Sequence, residues 1–431
     1  MITTTLLIIA TLLIQSCNKP TEPAKESISV TVEDVSCTEA WLKISDTNAN
    51  PNITVIVKRD NTDILTLNLN KADTVIVDEN LLPNKTYTYR AVKQQGSNLI
   101  EASKPVTAVT LDTTSHNFTW QTFEFGEHSS SVLYDVAIID ENNIWAVGEI
   151  YMKDSLGNYD PHAYNAVHWD GQSWELKKIT VLYNGNPITP TLYGVFAFSP
   201  TDIWFSSGIP VKGDGNSWTQ YHLFDMGVLS QQDGYLTKIW GDSSNDIYFV
   251  GTLGTIAHWN GSSWKKIESG TTLPIMDVYG ARDPNTGSYE VLCVSADQAL
   301  PGHSKILKIE NLKVREVATH PEWEPWGIWF VSGRRYFHAG DGLWENRSLH
   351  GNWIRNSNLP ALFKTSIDGQ AFNDIIVSGA FWLLSHWNGT SWHTYFPRIQ
   401  DSSFGTVVIK GNLIIVVGFI ENRAVALVGR R

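Results

Sequence analysis

Between residues 28 and 111, apolar and polar positions alternate in short runs: SISVTVEDV, AWLKIS, NITVIVKR, DILTLNLN, DTVIVD, KTYTYRAVK and KPVTAVTL. Period-2 runs with polar turns between them predict strands buried on one face, and together a small β-sandwich. From residue 132 the runs lengthen and come in pairs. One ends NNIWAVG (142–148), and its counterparts are TDIWFSSG (201–208), NDIYFVG (245–251), SYEVLCVS (288–295), RRYFHAG (334–340), NDIIVSG (373–379) and NLIIVVG (412–418). The first two ends lie 60 residues apart and the later ones 39–45 apart. Another apolar run precedes each: VLYDVAII, TLYGVFAF, YLTKIWGD, PIMDVYGA, PWGIWFVS, LFKTSIDG and SFGTVVIK.

A third run then leads through a tight turn into a fourth. The turn reads Trp169-Asp-Gly-Gln-Ser-Trp174, Trp259-Asn-Gly-Ser-Ser-Trp264 and Trp387-Asn-Gly-Thr-Ser-Trp392, with a reduced form, Gly213-Asp-Gly-Asn-Ser-Trp218. Asp-Gly and Asn-Gly suit the positive φ angles of a type I′ hairpin. The flanking tryptophans are then expected to meet across the two strands. Four antiparallel strands recurring about every 40 residues predict a β-propeller of seven blades. The last copy ends at Arg431 without a fourth strand, and residues 118–125 (FTWQTFEF), ahead of the first copy, are expected to supply it. A ring left open would expose unpaired strand edges. The predicted fold class is therefore all-β: a sandwich at 28–111, then a seven-bladed propeller at 118–431 closed by an N-terminal outer strand.

Composition narrows the function. Tryptophan (18) outnumbers phenylalanine (16) and tyrosine (15), and most of it falls on the repeat. A net charge of −12 excludes a nucleic-acid surface, which needs dense cationic side chains. Three scattered cysteines exclude a disulfide scaffold and a cysteine zinc site; Cys37 is expected to be a small, at least half-buried side chain. The opening MITTTLLIIATLLIQSC has an apolar run far shorter than the ~20 residues of a membrane span, and of the length of a signal peptide.

Three resemblances follow from these residues. Ile14-Gln15-Ser16-Cys17 resembles a bacterial lipobox, which implies a signal peptide at 1–16, a lipidated Cys17 and a solvated tether at 17–27. Asn18 after the cysteine fits sorting to an outer membrane. Leu81-Leu82-Pro83-Asn84-Lys85-Thr86-Tyr87 resembles the fibronectin type III motif, which implies that Tyr87 is its corner tyrosine. Ile44 stands where that family has a core tryptophan, with Trp41 three residues earlier. The whole resembles bacterial envelope lipoproteins in which a fibronectin-type domain precedes a Trp-rich propeller, an arrangement that implies no activity.

Loops between the second and third strands, and between one blade and the next, share one face of such a ring. The long insertions fall there: 149–164, 180–191, 223–235, 295–303 and 318–326. Tyr151, Tyr159, Tyr164, Tyr183, Trp323, Trp326 and Trp382 map to that face or its rim, where flat rings stack on sugars or anchor proteins. His320, Glu322 and Glu324 lie in a proline-bounded loop without the helical spacing of a zinc peptidase. Asp154, Asp160 and His162 form a second polar group without the spacing of an EF-hand. No metal and no cofactor is implied. The leading reading is a lipid-anchored envelope protein, non-enzymatic, that binds a glycan or protein through the loop face. The alternatives are a carbohydrate-active enzyme using Glu149, Asp160 or Glu324, and a structural subunit of an envelope assembly.

Overall fold

A computed structural model describes residues 27–283, 287–297, 303–317 and 324–431. Cys17 and the leader, together with His320, Glu322 and Trp323, lie outside the described residues. The chain divides into two compact units, one formed by residues 27–35, 39–81 and 85–110 and the other mainly by Leu111–Arg431. Every extended element is a β-strand.

In the first unit a three-stranded sheet (Ile28–Val35, Ala40–Asp46, Asp73–Asp78) packs on a five-stranded one (Thr62–Asn68, Thr54–Arg59, Thr86–Gln95, Asn98–Ala102, Val106–Val109). Alternation does the sorting: Val30, Leu42 and Ile44 from one sheet meet Val55, Val57, Tyr87 and Tyr89 from the other in a single core. Tyr87 is buried there, and the Arg59 guanidinium lies 5.6 Å from its ring centre. Tyr89, two residues on, donates its hydroxyl to Asp78 at 2.6 Å, and Arg59 donates to the same carboxylate at 3.0 Å. This buried network ties the two sheets together at that end.

Among the described residues the second unit contains seven four-stranded antiparallel sheets and one two-stranded hairpin, Val181–Tyr183 with Asn186–Ile188. The inner strands of the seven sheets are Val132–Asp140, Gly194–Ser199, Leu236–Ser243, Ile275–Arg282, Pro325–Val331, Lys364–Ala371 and Ser402–Lys410. Each inner strand neighbours the next in chain order, and the seventh neighbours the first, so the series is a closed ring. The seventh sheet takes its outer strand from Thr119–Phe125, which pairs along Arg423–Arg430 from Thr119 opposite Arg430 to Phe125 opposite Ala424.

Across the hairpins, Trp169 pairs with Trp174, Trp259 with Trp264 and Trp387 with Trp392, with ring centres 5.2–5.6 Å apart. The turn type differs from expectation. Only the glycines, Gly171, Gly215, Gly261 and Gly389, take positive φ (89–100°), whereas a type I′ turn needs it at both central residues. The Asp or Asn before each glycine instead accepts two backbone N–H bonds. Asp170 takes those of Gln172 and Ser173, both at 2.8 Å, and Asn388 those of Thr390 and Ser391 at 3.0 and 2.9 Å. A short acceptor side chain is needed there for that reason.

One irregularity recurs. The inner strand gains a residue against its partner at Tyr134, Thr237, Met276, Trp326, Thr365 and Gly405, in six of the seven sheets. Opposite the residue before each bulge stand Gly148, Gly251, Ser295, Gly340, Gly379 and Gly418, the ends of the repeated motif. At each of these glycines a Cβ would collide with a carbonyl oxygen of the inner strand, Tyr235 O in the case of Gly251. In these five sheets the backbones run too close for a side chain, while the fourth sheet accommodates Ser295 at the same place. Gly251→Ala should therefore cost about 3 kcal/mol of unfolding free energy in urea. Gly270→Ala, at φ 73° with open space around it, should cost only about 1–2 kcal/mol. Equal losses would remove the steric account of the repeated glycine.

Candidate functional site

The bulges determine what faces the ring's centre. A cavity of about 510 Å³ is lined by all six bulged residues and by Tyr193, which precedes the inner strand of the second sheet. These positions sit at the heads of the inner strands, so the cavity opens on the face that carries the long loops. Tyr134 and Tyr193 lie 5.6 Å apart, and Trp326 packs edge-on against Phe363 at 5.3 Å. The Trp326 indole N–H is buried and has no hydrogen-bond partner. Lys238, Trp326, Thr365 and Thr406 also line a second cavity of about 330 Å³, which continues inward along the channel.

An inner strand has one edge paired within its own sheet and the other facing the channel. The N–H groups on that open edge need acceptors. Asp135 accepts from its neighbour Val136 at 3.0 Å and from Val195, on the next sheet, at 3.1 Å. Asp277 does the same with Val278 (2.9 Å) and Ile328 (3.0 Å). Ser366 accepts from Val407 at 3.3 Å, and Asp368, two residues further along, from Ile409 at 2.9 Å. Each acceptor thus fastens one sheet to the next. Lys238 holds the same register as Asp135 and Asp277; it lies 3.4 Å from Asp135 and donates to Thr406 Oγ1 at 2.9 Å.

Asp277 and Asp368 line the channel and are half-buried, with protein enclosing most of each carboxyl. Burial pushes the Asp277 carboxyl up to about 6, with Lys238 pulling the other way, and the Asp368 carboxyl up to about 7. A folded value above the unfolded ~3.9 means that the acid form is favoured in the native state. Its stabilising contribution is full below the unfolded value and is lost as pH rises through about 6–7. His116, His168 and His338, held neutral mainly by burial, push stability the opposite way over the acid side of this range. The diagnostic quantity is therefore a difference. Between pH 5 and 8, Asp368→Asn should gain about 2 kcal/mol on the wild type in urea unfolding. A constant offset between the two curves would show that Asp368 does not titrate there.

A third, more polar cavity of about 530 Å³ lies beside the first sheet, walled by Glu149, Tyr151, His162, Asn165, Lys178 and Thr191 among others. Buried Asn165 builds it, donating to Ile179 O (2.9 Å) and Pro190 O (2.8 Å) and accepting from Ile179 N (2.7 Å), which pins the 180–191 insertion. Glu149 accepts from the Thr191 hydroxyl and, at 3.4 Å, from the Tyr151 hydroxyl. Asp160 lies 3.1 Å from His162 Nδ1 and 3.6 Å from Lys178 Nζ. Hydrogen bonds from the His162 backbone and ring hold its carboxyl below the usual range, opposite to what a general acid requires. Glu324 heads the inner strand of the fifth sheet, three sheets around the ring. The structure does not bring Glu149, Asp160 and Glu324 together. Among the described residues no group of three or more His, Cys, Asp or Glu is placed to hold a metal.

The aromatic candidates separate into distinct roles. Trp382 is only 5% exposed and packs on Phe404 at 4.3 Å, so it belongs to the core and offers no ring to a ligand. Tyr159 is exposed, but one face stacks on His128 at 4.2 Å. Lys178 sits 4.6 Å over the Tyr164 ring, and Tyr183 is exposed beside His222 at 5.5 Å. Of the two described candidate tryptophans, Trp326 lines the channel mouth, on a strand rather than a loop. Exposed apolar side chains cluster on the same face over the first three sheets: Leu156, Tyr159, Leu182, Tyr183, Met226 and Tyr235. Cys37 and Cys293 are buried free thiols, and burial, helped by the nearby Asp112, pushes Cys37 up to about 11. Apart from Trp326, sequence reasoning missed the channel residues. Their signal was present in LYDV, LTKI and IMDV, the same register occupied three times by a charge.

No protein-family model and no curated protein sequence matches the chain. Among solved structures it is similar to one described as YCF48 bound to D1 peptide, at 16% identity and a TM-score of 0.54, covering 74% of this chain and 99% of that one. It is also similar to the WD40 β-propeller domain of Doa1, at 14% identity and a TM-score of 0.47, covering 72% of this chain and 97% of that one. At such identities the first similarity establishes a fold, and the fold is a β-propeller.

Proposed function

We propose that this chain is a protein-binding scaffold: a seven-bladed propeller that receives a peptide segment of its partner at the channel mouth on the loop-rich face. The observation that carries the reading is the single cavity formed by the heads of all seven inner strands, bordered by exposed apolar side chains over sheets one to three. Large exposed apolar groups concentrated on one face mark interaction surfaces. The YCF48 structure, whose described ligand is a peptide, supports the same class of partner. A photo-crosslinking residue at Tyr193 or Tyr235, introduced into the full chain in its native cell, should trap a discrete adduct. The same residue at Gln172, on the hairpin face, should not. Adducts of equal yield from both faces would overturn the assignment of the loop face.

The remaining features complete this proposal. Residues 28–111 act as a fibronectin type III-like spacer, a reading supported by the pairing of a three-stranded with a five-stranded sheet. Cys17 carries the lipid anchor, and the molecule is displayed on the cell envelope at an outer membrane, a reading supported by the lipobox resemblance at residues 14–17. Cys17→Ser should move the protein from the membrane to the soluble fraction on ultracentrifugation, and unchanged partitioning would refute the anchor. A second reading, a glycan ligand, has one favourable observation, the polar cavity of Glu149, His162 and Lys178. Binding on a glycan array that Glu149→Gln abolishes would establish it.

A further inference from the structure

We propose that the partner segment enters the channel mouth with a basic side chain, a lysine or arginine, directed toward Asp277 and Asp368 and flanked by the rings of Tyr134, Tyr193 and Trp326. This rests on the channel mouth being the docking site and specifies what that site selects.

Three observations converge. Among the residues lining the two connected cavities, Asp135, Asp277, Asp368 and, at the rim, Asp297 face one cation, Lys238. Lys238 is already matched to Asp135 at 3.4 Å, which leaves Asp277 and Asp368 without a cationic neighbour at ion-pair distance among the described residues. Their backbone hydrogen bonds fix them in place, but burial still works against their charge, and an incoming cation would relieve that directly. The second observation is aromatic. Tyr134, Tyr193 and Trp326 all line the mouth through which such a side chain would pass, and ring faces attract lysine and arginine. The third points to a ligand without reference to charge. The Trp326 indole N–H is buried and has no partner among the described residues; five other indoles share that state, but Trp326 alone of the six lines the mouth, where an incoming acceptor would relieve the cost. A peptide carbonyl flanking the basic residue supplies that acceptor. An acidic peptide would meet the carboxylates unscreened, and an apolar one would leave the indole donor and the channel charge as they are.

The test uses the immobilised full chain and a phage-displayed library of random dodecapeptides. Selected peptides are then synthesised with fluorescein and titrated by anisotropy against the full chain. Binders that depend on Trp326, judged by loss with Trp326→Ala, should share a lysine or arginine at one register. Exchanging that residue for methionine should weaken binding at least tenfold. Lowering the pH from 8 to 5.5 should weaken wild-type binding about tenfold, because the two carboxylates take up protons. The Asp277→Asn, Asp368→Asn double variant should bind weakly at both pH values. The wild-type pH profile keeps the proposal testable should that variant fail to fold. Peptides that need Trp326 but ignore both the methionine exchange and the pH change would overturn the basic side chain while leaving the docking site standing. If no selected peptide depends on Trp326, both claims fall.

Discussion

The one-residue slip between the first and second strand of nearly every sheet is the constraint on which the rest of the ring depends. It forces the backbones together, which restricts five of the six opposing positions to glycine and leaves the fourth sheet with Ser295. It also places the slipped residue at the rim of the channel, whatever that residue is. The ring can therefore vary Tyr134, Thr237, Met276, Trp326, Thr365 and Gly405 freely in size and polarity, because none of them takes part in the ladder. Steric demand acts at the glycine, and chemical choice is left at the bulge. A binding surface made in this way has a rigid support, since every contributor stands on a strand held by its neighbours.

The channel carboxylates show how a structural requirement creates a chemical one. Inner-strand N–H groups need acceptors, and a carboxylate satisfies two of them at once, as Asp135 and Asp277 do. Ser366 meets part of the same need without charge, so charge is not imposed by the fold. Where aspartate is used, negative charge accumulates in an enclosed space, and only Lys238 opposes it among the lining residues. Hydrogen bonds to the carboxylates favour ionisation and burial disfavours it. Burial prevails at Asp277 and Asp368, which places both in the range where a modest change of surroundings shifts their charge.

Much of this architecture was legible in the sequence because the repeat is written in short-range chemistry. The Trp-Asn-Gly-x-Ser-Trp hairpins specify a turn and two facing rings within six residues, and the missing fourth strand of the last copy pointed to residues 118–125. What escaped depends on side-chain contacts that the run pattern does not show. The turn subtype turned on side-chain caps that Asp170 and Asn388 make to backbone, which dipeptide preference does not reveal. A histidine precedes the tryptophan in all three full motifs and bonds to the start of the second strand, as His258 does to Asp246 at 2.6 Å, yet its partner lies in a different run. Trp382 read as a loop residue because Phe381 and Trp382 both take positive φ and interrupt the strand pattern, while its ring turns inward onto Phe404. The channel acids were visible as letters, and only the closure of the ring gives them a common centre.

The distribution of aromatic rings favours the proposed protein ligand over a sugar. Stacking on a saccharide needs an open ring face beside hydrogen-bonding groups. Beside the polar cavity, Tyr164 has Lys178 over its face and Tyr159 is stacked on His128, so these rings already serve to hold the insertion. At the channel mouth Tyr193 remains exposed, and the loops of the first three sheets carry further exposed apolar side chains, Tyr183, Met226 and Tyr235. A surface of that extent is broader than one sugar ring and suits the side chains of a polypeptide laid over it, with the channel as the fixed point of its register. The hairpin face, built four times from the same short turn, offers no comparable variation. Selectivity is therefore expected where the repeat is broken by insertions, above the bulges that the glycines make room for.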